Sequence, residues 1–189
     1  MATTPVRILA ALLPMVMLSG CGSALDDPGH PPTPDEIAHA EAQMRKLPSL
    51  QETEPQLMAL IRQIADAAEA VAPGLTWRQY TRRAQGKLGC RGPYSETDGV
   101  SMVTDSLVSS VPISDAEWPK VLTIARDLAA PHGITVLTVR IDEPGNHQAI
   151  LHSPDHGNEI DIGTLKAARI GGLTGCRYRE EDLRNQPVR

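Results

Sequence analysis

The sequence contains no phenylalanine, and only two tryptophans and three tyrosines occur among its 189 residues. A hydrophobic core must therefore be built from leucine, isoleucine, valine, alanine and methionine. Proteins that bind single-stranded nucleic acid stack exposed aromatic rings on the bases, and this sequence has few rings to offer. The formal net charge of -5 also argues against binding to a phosphate backbone. We therefore expect no nucleic-acid partner.

No hydrophobic run in the sequence is long enough to span a bilayer. The run Ile8–Leu18 has eleven residues and includes Pro14, whereas a membrane-spanning helix needs about 20 apolar residues. Arg7 is the only charged residue before Asp26. A short apolar run behind a positive charge is typical of a secretory signal peptide. We predict that residues 1–20 direct export and are then removed.

The predicted signal peptide ends in Leu18-Ser19-Gly20-Cys21, which resembles the bacterial lipobox. The resemblance implies that the cysteine thiol receives a diacylglycerol and that the new N-terminus is acylated, as with palmitate. An ordinary signal peptide followed by a chance cysteine is the alternative. Two or three acyl chains bind a bilayer far more firmly than one. We therefore predict lipidation at Cys21 and attachment to the extracytoplasmic face of the cell membrane.

Cysteine is scarce, with three residues in the whole chain. Lipidation of Cys21 would leave Cys90 and Cys176, and disulfides persist in exported proteins. We therefore predict a structural Cys90–Cys176 disulfide, with two free thiols or half of a metal site as the alternatives. A zinc site needs closely spaced cysteine or histidine ligands, which the sequence lacks. We expect no metal site and no cofactor.

The mature chain divides into a spacer and one domain. Residues 21–32 are rich in glycine, serine, aspartate and proline and predict a flexible spacer. Residues 33–189 predict a single domain that opens with two helices. Thr33 starts the first, and either Ser49 or Thr53 starts the second, because both match a capping box. The short link between the helices predicts an antiparallel hairpin.

A third helix follows a capping box at Ser114 and Glu117. Its apolar residues recur at helical spacing from Trp118 to Leu128, which predicts one buried face. Proline is unfavourable in the second turn of a helix, so Pro119 predicts that this helix starts later than Ser114.

The remaining segments favour antiparallel strands. Leu75–Cys90 fits a helix or a strand, and we predict a strand from Leu75 to about Thr81. The other predicted strands are Val100–Val111 (one strand or a bent one), Ile134–Ile141, His147–Leu151, Glu159–Ile162 and Leu173–Arg179, followed by a frayed tail from Glu180 to Arg189. The predicted fold class is α+β: an N-terminal helical hairpin plus an antiparallel sheet with one packed helix and one disulfide.

Several motifs together resemble one known family. The Leu18–Cys21 lipobox, the helix led by Trp118, the Pro144-Gly145 turn and the terminal Thr174-Gly175-Cys176-Arg177 are similar to those of the mycobacterial LppA-like lipoproteins. The resemblance covers most of the mature chain, and the lipobox is its specific motif. It implies an exported, membrane-anchored α+β lipoprotein without an established activity.

Candidate catalytic side chains cluster between His147 and Asp161, but their spacing is poor for catalysis. His147 and His152 are five residues apart and would face opposite sides of a strand. We expect His147, His152, His156, Glu159 and Asp161 to be largely exposed and not to converge. We expect Trp77 and Tyr80 to pack in the core, the alternative being a ligand groove.

No nucleophile motif, phosphate loop or metal-binding motif is present in the sequence. We therefore predict an exported, lipid-anchored cell-envelope lipoprotein that is a binding or accessory module and not an enzyme. Its expected partners are the membrane, through the lipid anchor, and an envelope protein or a lipid ligand. The alternative is an envelope hydrolase with an unrecognised site.

Overall fold

A computed structural model describes residues 31–81, 87–154 and 157–185 of the chain. The predicted signal peptide, Cys21, most of the predicted spacer and His156 lie outside these residues. Pro31–Arg189 forms one compact unit. Across the described ranges, no helix is long and apolar enough to cross a membrane.

Capping boxes start the two N-terminal helices, α1 (Pro34–Met44) and α2 (Leu50–Glu69). At α2, the backbone N–H of Glu52 donates to the Ser49 hydroxyl at 3.3 Å. The Glu52 carboxylate accepts the backbone N–H of Ser49 at 2.9 Å. Each bond satisfies an N–H group that has no partner inside the helix. Ser49 is therefore the N-cap, which decides between the two predicted starts of α2.

The described residues contain eight strands: β1 (Arg78–Tyr80), β2 (Lys87–Gly89), β3 (Val100–Met102), β4 (Ser106–Ser109), β5 (Val136–Glu143), β6 (Asn146–His152), β7 (Glu159–Thr164) and β8 (Ala168–Leu173). Six of these form one antiparallel sheet in the order β1-β4-β8-β7-β6-β5. Strands β2 and β3 pair separately with each other. A bulge between Val139 and Ile141 interrupts the pairing of β5 with β6.

The main core lies between this sheet and two helices, α2 and α3 (Trp118–Ala129). Helix α3 starts at Trp118, later than Ser114, as Pro119 predicts. Proline has no backbone N–H to donate, and the first turn of a helix does not need one. The fully buried side chains include Leu57, Ile61 and Ile64 of α2, Val121 and Ala125 of α3, and Ile160, Ile162 and Ile170 of the sheet. The predicted α+β class, with its N-terminal helices, antiparallel sheet and disulfide, is confirmed. Two helices, α2 and α3, pack on the sheet, where the sequence predicts one.

A second, smaller cluster surrounds the disulfide. Met44 at the end of α1 packs with Cys176 and Tyr178, and the fourth helix, α4 (Glu180–Asn185), adds Leu183. The main neighbour of α1 is the 3-10 turn Gly92–Tyr94. The first helix therefore belongs to the disulfide end of the domain.

Two strand predictions need correction. The segment Val100–Val111 is neither one strand nor a bent one, since β3 and β4 lie in different sheets. Between them, the Thr104 hydroxyl accepts the backbone N–H of Gly172 at 2.9 Å and fixes the change of direction. The segment Leu75–Thr81 does contain a strand, but β1 has only three residues.

The prediction of a last strand over Leu173–Arg179 is wrong. The last strand is β8, and the following segment contacts β3 through an isolated bridge between Arg177 and Val100 and a bond from the Thr174 N–H to the Met102 carbonyl. Two glycines in β8 lower its strand propensity. A Cβ on Gly172 would lie 3.1 Å from side-chain atoms of both Leu57 and Ile61. The close approach of α2 therefore requires glycine at position 172, and the same glycine weakens the strand pattern in the sequence.

The prediction of a frayed tail from Glu180 is also wrong as far as Asn185, because α4 occupies that segment. The Asp182 carboxylate accepts the backbone N–H of Arg179 at 3.3 Å and caps the first turn. Packing of Leu183 on the disulfide cluster holds the helix in place.

Candidate functional site

His147 lies on the core-facing side of β6 and is held between two carboxylates. Its side chain is only 8% exposed. Its Nδ1 lies 2.8 Å from Oδ1 of Asp142 on β5, and its Nε2 lies 2.9 Å from Oδ1 of Asp115 before α3. The ring stacks on Trp118 with centroids 5.1 Å apart. These contacts join the β5–β6 hairpin to the start of α3, and we call them the His147 clasp.

The tip of the same hairpin adds a further bond to the clasp. The backbone N–H of Gly145 donates to Asp115 Oδ1 at 2.7 Å. Gly145 has φ +71°, which a glycine adopts without the steric cost of a side chain. The Pro144-Gly145 turn therefore aims a backbone donor at the carboxylate that also holds His147.

The contacts of the clasp favour a protonated His147 beside an ionised Asp115. Burial by itself lowers the pKa of His147, but the hydrogen bonds to Asp115 and Asp142 outweigh it and raise that pKa above its ordinary value. The bond from His147 and the Gly145 N–H together lower the pKa of Asp115. The protonated ring can donate from both nitrogens, which matches two carboxylate acceptors.

The expectation of an exposed His147 is therefore wrong. In the sheet, His147 faces the same way as the buried Ala149 and Leu151. Both ring nitrogens are occupied by carboxylates, so the imidazole has no nitrogen left to activate a nucleophile or bind a metal. This arrangement serves to hold two elements together.

The other candidates that the structure describes, His152, Glu159 and Asp161, do not meet His147, and His156 lies outside the described residues. His152 faces the opposite side of β6, where its ring contacts the Thr138 hydroxyl and the Ser153 carbonyl. Glu159 and Asp161 are half-buried, not largely exposed. Asp161 pairs with Arg169 at 2.8 Å on the sheet. Among the residues that the structure describes, no group of three or more histidines, cysteines or carboxylates is arranged to hold a metal.

The two aromatic residues of the β1 region have different environments. Trp77 packs against the main core, and its indole N–H donates to the carbonyl of Ala65 at 3.0 Å. Tyr80 is 63% exposed, so its predicted burial is wrong. Tyr80 lies on the short edge strand β1, all three residues of which are exposed.

The predicted disulfide between Cys90 and Cys176 is present, with Cα atoms 5.8 Å apart. It ties the end of β2 to the segment after β8. Cys176 is buried and forms part of the wall of two neighbouring cavities.

The larger of these cavities, with a volume of about 540 Å³, lies where five separate segments meet. We call it the disulfide groove. Its walls come from α1 and the residues just after it, the 3-10 turn before β3, the 3-10 turn after α3, the segment before β7 and the segment after β8. The lining residues are His39, Gln43, Leu47, Tyr94, His132, Gly133, Ser153, Pro154, Gly157, Asn158, Cys176 and Arg177. A smaller cavity of about 210 Å³ shares Tyr94, Gly157 and Cys176 with it.

With this geometry established, comparison with known proteins assigns the family. A family model named LppA and described as a lipoprotein confined to pathogenic Mycobacterium matches residues 25–180. The chain belongs to the LppA family. The match spans residues 25–32 of the predicted spacer, both N-terminal helices, the whole six-stranded sheet and the disulfide.

The fold of this LppA-family chain is similar to a solved member of the family. The crystal structure of the candidate lipoprotein LppA from Mycobacterium tuberculosis superposes with a TM-score of 0.66 and 21% identity. The alignment covers 82% of this chain and 91% of that one. At that identity the likeness shows the fold alone.

A second solved structure is more distant. It is a DUF4853 family protein from Actinomyces odontolyticus, with a TM-score of 0.40, 15% identity and coverage of 75% of this chain and 72% of that one. No curated protein matches this LppA-family chain.

Sequence reasoning missed both carboxylates of the clasp. Asp142 lies beside the Pro144-Gly145 turn, and Asp115 lies inside the capping box before α3, so neither belongs to a motif of its own. A local signal existed for His147, which alternates in phase with Ala149 and Leu151. No local signal links Asp115 to His147, because 32 residues separate them.

Proposed function

We propose that this LppA-family chain is an exported, lipid-anchored lipoprotein of the cell envelope, whose folded domain binds a ligand or partner without catalysing a reaction. The observation that carries the proposal is the Leu18–Cys21 lipobox behind an eleven-residue apolar run. Membership of a family of lipoproteins supports it. Acyl chains on Cys21 would hold the domain at the membrane, with residues 22–32 as the tether.

The disulfide groove supports a binding role for the domain. Ligand pockets are concave and carry a few placed polar groups that orient the ligand. The groove has a suitable volume, and it presents imidazole, amide, hydroxyl and guanidinium groups from different segments. The disulfide holds β2 to the segment after β8 at this point, which gives the groove a fixed wall.

The arrangement of ionisable groups supports a non-catalytic role. A catalytic base needs a nitrogen or oxygen that can reach the substrate. His147, whose pKa is raised by its carboxylate partners, has both nitrogens occupied by Asp115 and Asp142 and lies outside the groove. Hydrolysis of esters or cell-wall fragments by the purified protein, abolished by a single substitution in the described residues, would contradict this part of the proposal.

The anchoring is tested by Cys21→Ala, with Ser23→Ala in the spacer as the matched control. Wild type and Ser23→Ala should fractionate with membranes and carry an acylated N-terminal peptide by mass spectrometry. Cys21→Ala should lose the acyl mass and leave the membrane fraction as a soluble form or remain as an uncleaved precursor. If Cys21→Ala is processed normally and stays fully in the membrane fraction, the anchoring proposal is wrong.

A further inference from the structure

We propose that the His147 clasp is a proton-controlled latch whose two carboxylate contacts open in a fixed order. When the ring loses one proton, the contact with Asp142 opens and loosens the end of β5, while the contact with Asp115 stays closed. The inference concerns the β5–β6 hairpin and does not depend on a ligand in the disulfide groove. It starts from an asymmetry between the two carboxylates.

The His147 ring can donate to both carboxylates only while it is protonated. An imidazolium donates from both nitrogens, whereas a neutral imidazole carries one N–H and one lone pair. In the clasp, Nδ1 lies 2.8 Å and Nε2 lies 2.9 Å from a carboxylate oxygen. After the loss of one proton, one carboxylate therefore faces a lone pair at hydrogen-bond distance, and that contact is repulsive. One contact must open, and the surroundings of the two carboxylates decide which.

The Asp115 carboxylate is held by a second bond that does not involve the ring. Its Oδ1 accepts the backbone N–H of Gly145 at 2.7 Å as well as the bond from His147 Nε2. Rotation of this carboxylate away from the ring would give up two hydrogen bonds at once. Because the Gly145 donor belongs to the backbone, it is present in both protonation states of His147. The contact between Asp115 and Nε2 is therefore the one that persists.

The Asp142 carboxylate has no such second bond. Among the residues that the structure describes, His147 is its one hydrogen-bond and ion-pair partner. The Asp142 side chain is 66% exposed, so rotation about its own bonds takes the carboxylate into water. Hydration then replaces the lost contact, since an ionised carboxylate is stable in water without a protein partner. The contact between Asp142 and Nδ1 is therefore the one that opens.

No further charged group in the described part of the chain competes for the ring. The charges that act on His147 are those of Asp115 and Asp142. On β7, Thr164 lies opposite His147, and its hydroxyl is committed to backbone groups before α3. The Glu117 carboxylate accepts bonds within its own capping box, and the indole stacked on the ring is uncharged. Loss of the proton is therefore answered by the two clasp carboxylates alone.

The opening acts on a short, separate end of β5. This strand is at the edge of the sheet, and the bulge between Val139 and Ile141 separates residues 141–143 from the rest of the strand. Beyond the bulge, pairing with Asn146, His147 and Gln148 holds this end, together with the Asp142 side chain. Loss of the side-chain contact therefore loosens the end of the strand and leaves the core beneath α2 and α3 in place.

The test is NMR of the full mature protein in a neutral detergent, with ¹⁵N-labelled histidine. The nitrogen shifts of the His147 ring show which nitrogen keeps its proton, and the spectrum of His147→Gln identifies the signals. At about pH 5.5 both nitrogens should carry a proton. At about pH 9, where the ring is neutral, the form protonated on Nε2 should exceed the form protonated on Nδ1 about tenfold, as expected for one charge-assisted bond.

Two matched substitutions separate the contacts. Asp142→Asn should leave the neutral ring with its proton on Nε2. Asp115→Asn should move that proton toward Nδ1, because Asp142 is then the charged acceptor that remains in the clasp. A neutral ring with the same proton position in both variants would contradict the assigned order.

The mobility of the β5 end is measured by methyl relaxation. The motion of the Ile141 side chain should increase between about pH 5.5 and about pH 9 in wild type. Ile150 is the control, because it pairs with Thr138 before the bulge and should not change.

Two results in wild type would overturn the inference, so it stays falsifiable if a variant fails to fold. A neutral His147 that keeps its proton on Nδ1, or shares it equally between the two nitrogens, would reject the order of opening. Ile141 motion that is the same at both pH values, or that changes equally at Ile150, would reject the latch.

Discussion

Asp115 and His147, which are 32 residues apart in the sequence, meet at 2.9 Å between Oδ1 and Nε2. The same Asp115 oxygen accepts the backbone N–H of Gly145 at 2.7 Å. The Asp115 carboxylate therefore binds two parts of the β5–β6 hairpin: the backbone at its tip and the His147 side chain on β6. The clasp gives the domain a pH-dependent contribution to stability.

Substitution of His147 by glutamine should destabilise the domain more in acid than in base. Because Asp115 and Asp142 raise the pKa of the folded His147, its contribution is complete below the unfolded pKa of about 6.5 and is lost as the pH rises through the folded pKa. We expect a loss of about 1–3 kcal/mol at about pH 5.5 and a smaller loss at about pH 9. Urea unfolding at both pH values measures it.

His152→Gln is the matched control for that experiment. The His152 ring contacts a hydroxyl and a carbonyl, not a carboxylate. This variant removes an imidazole from the same strand without removing a carboxylate partner, so the difference between the two variants measures the clasp. A loss in His147→Gln that is equal or greater in base would show that the clasp does not depend on the protonated ring.

Asp115→Asn should lower the pKa of His147 toward its ordinary value. The asparagine oxygen can still accept the Gly145 N–H, so the change mainly removes the negative charge beside Nε2. NMR titration of the His147 ring protons measures the shift. Asp127→Asn, at an exposed α3 position, should leave that pKa unchanged. An unchanged His147 pKa in Asp115→Asn would count against the carboxylate as its cause.

Removal of the disulfide should be the most costly of these changes. The bond joins Cys90 and Cys176 across 86 residues, for which the loop-entropy model gives about 4.5 kcal/mol. The double variant Cys90→Ser with Cys176→Ser should lose about that much free energy of unfolding and should therefore unfold at a lower urea concentration. Reduced wild type is the control and should approach the double variant. If the oxidised and reduced proteins unfold at the same midpoint, the bond contributes nothing to stability.

Gly172→Ala should separate α2 from β8. The new Cβ would meet the Glu159 carbonyl at 2.8 Å and side-chain atoms of Leu57 and Ile61 at 3.1 Å. Overpacking of this kind costs about 1–3 kcal/mol, measurable by thermal or urea unfolding.

Gly163→Ala on β7 is its control. There the nearest atom to a new Cβ lies 3.6 Å away, which is ordinary van der Waals contact. A loss as large in Gly163→Ala as in Gly172→Ala would refute close helix packing as the reason for Gly172.

The structure agrees with the sequence best where a signal is local. Thr33 and Glu36 are three residues apart, so a capping box reveals the start of α1 without any tertiary contact. At α2 the sequence narrows the start to Ser49 or Thr53, and the structure selects Ser49. Pro119 likewise predicts the start of α3 because its ring acts on its own backbone. Cys90 and Cys176 could be paired because they are the two cysteines that remain once Cys21 is assigned to lipid.

The sequence by itself therefore determined the start of α1, the α+β class and the pairing of the cysteines, because each depends on neighbouring residues or on counting. Only the tertiary structure decided that Gly172 belongs to a core strand, that His147 is buried between Asp115 and Asp142, and that five segments enclose the disulfide groove. The physical reason is that strand pairing and side-chain contacts join residues far apart in the chain. Hydrophobic burial beneath α2 and α3 then outweighs the weak strand propensity of glycine.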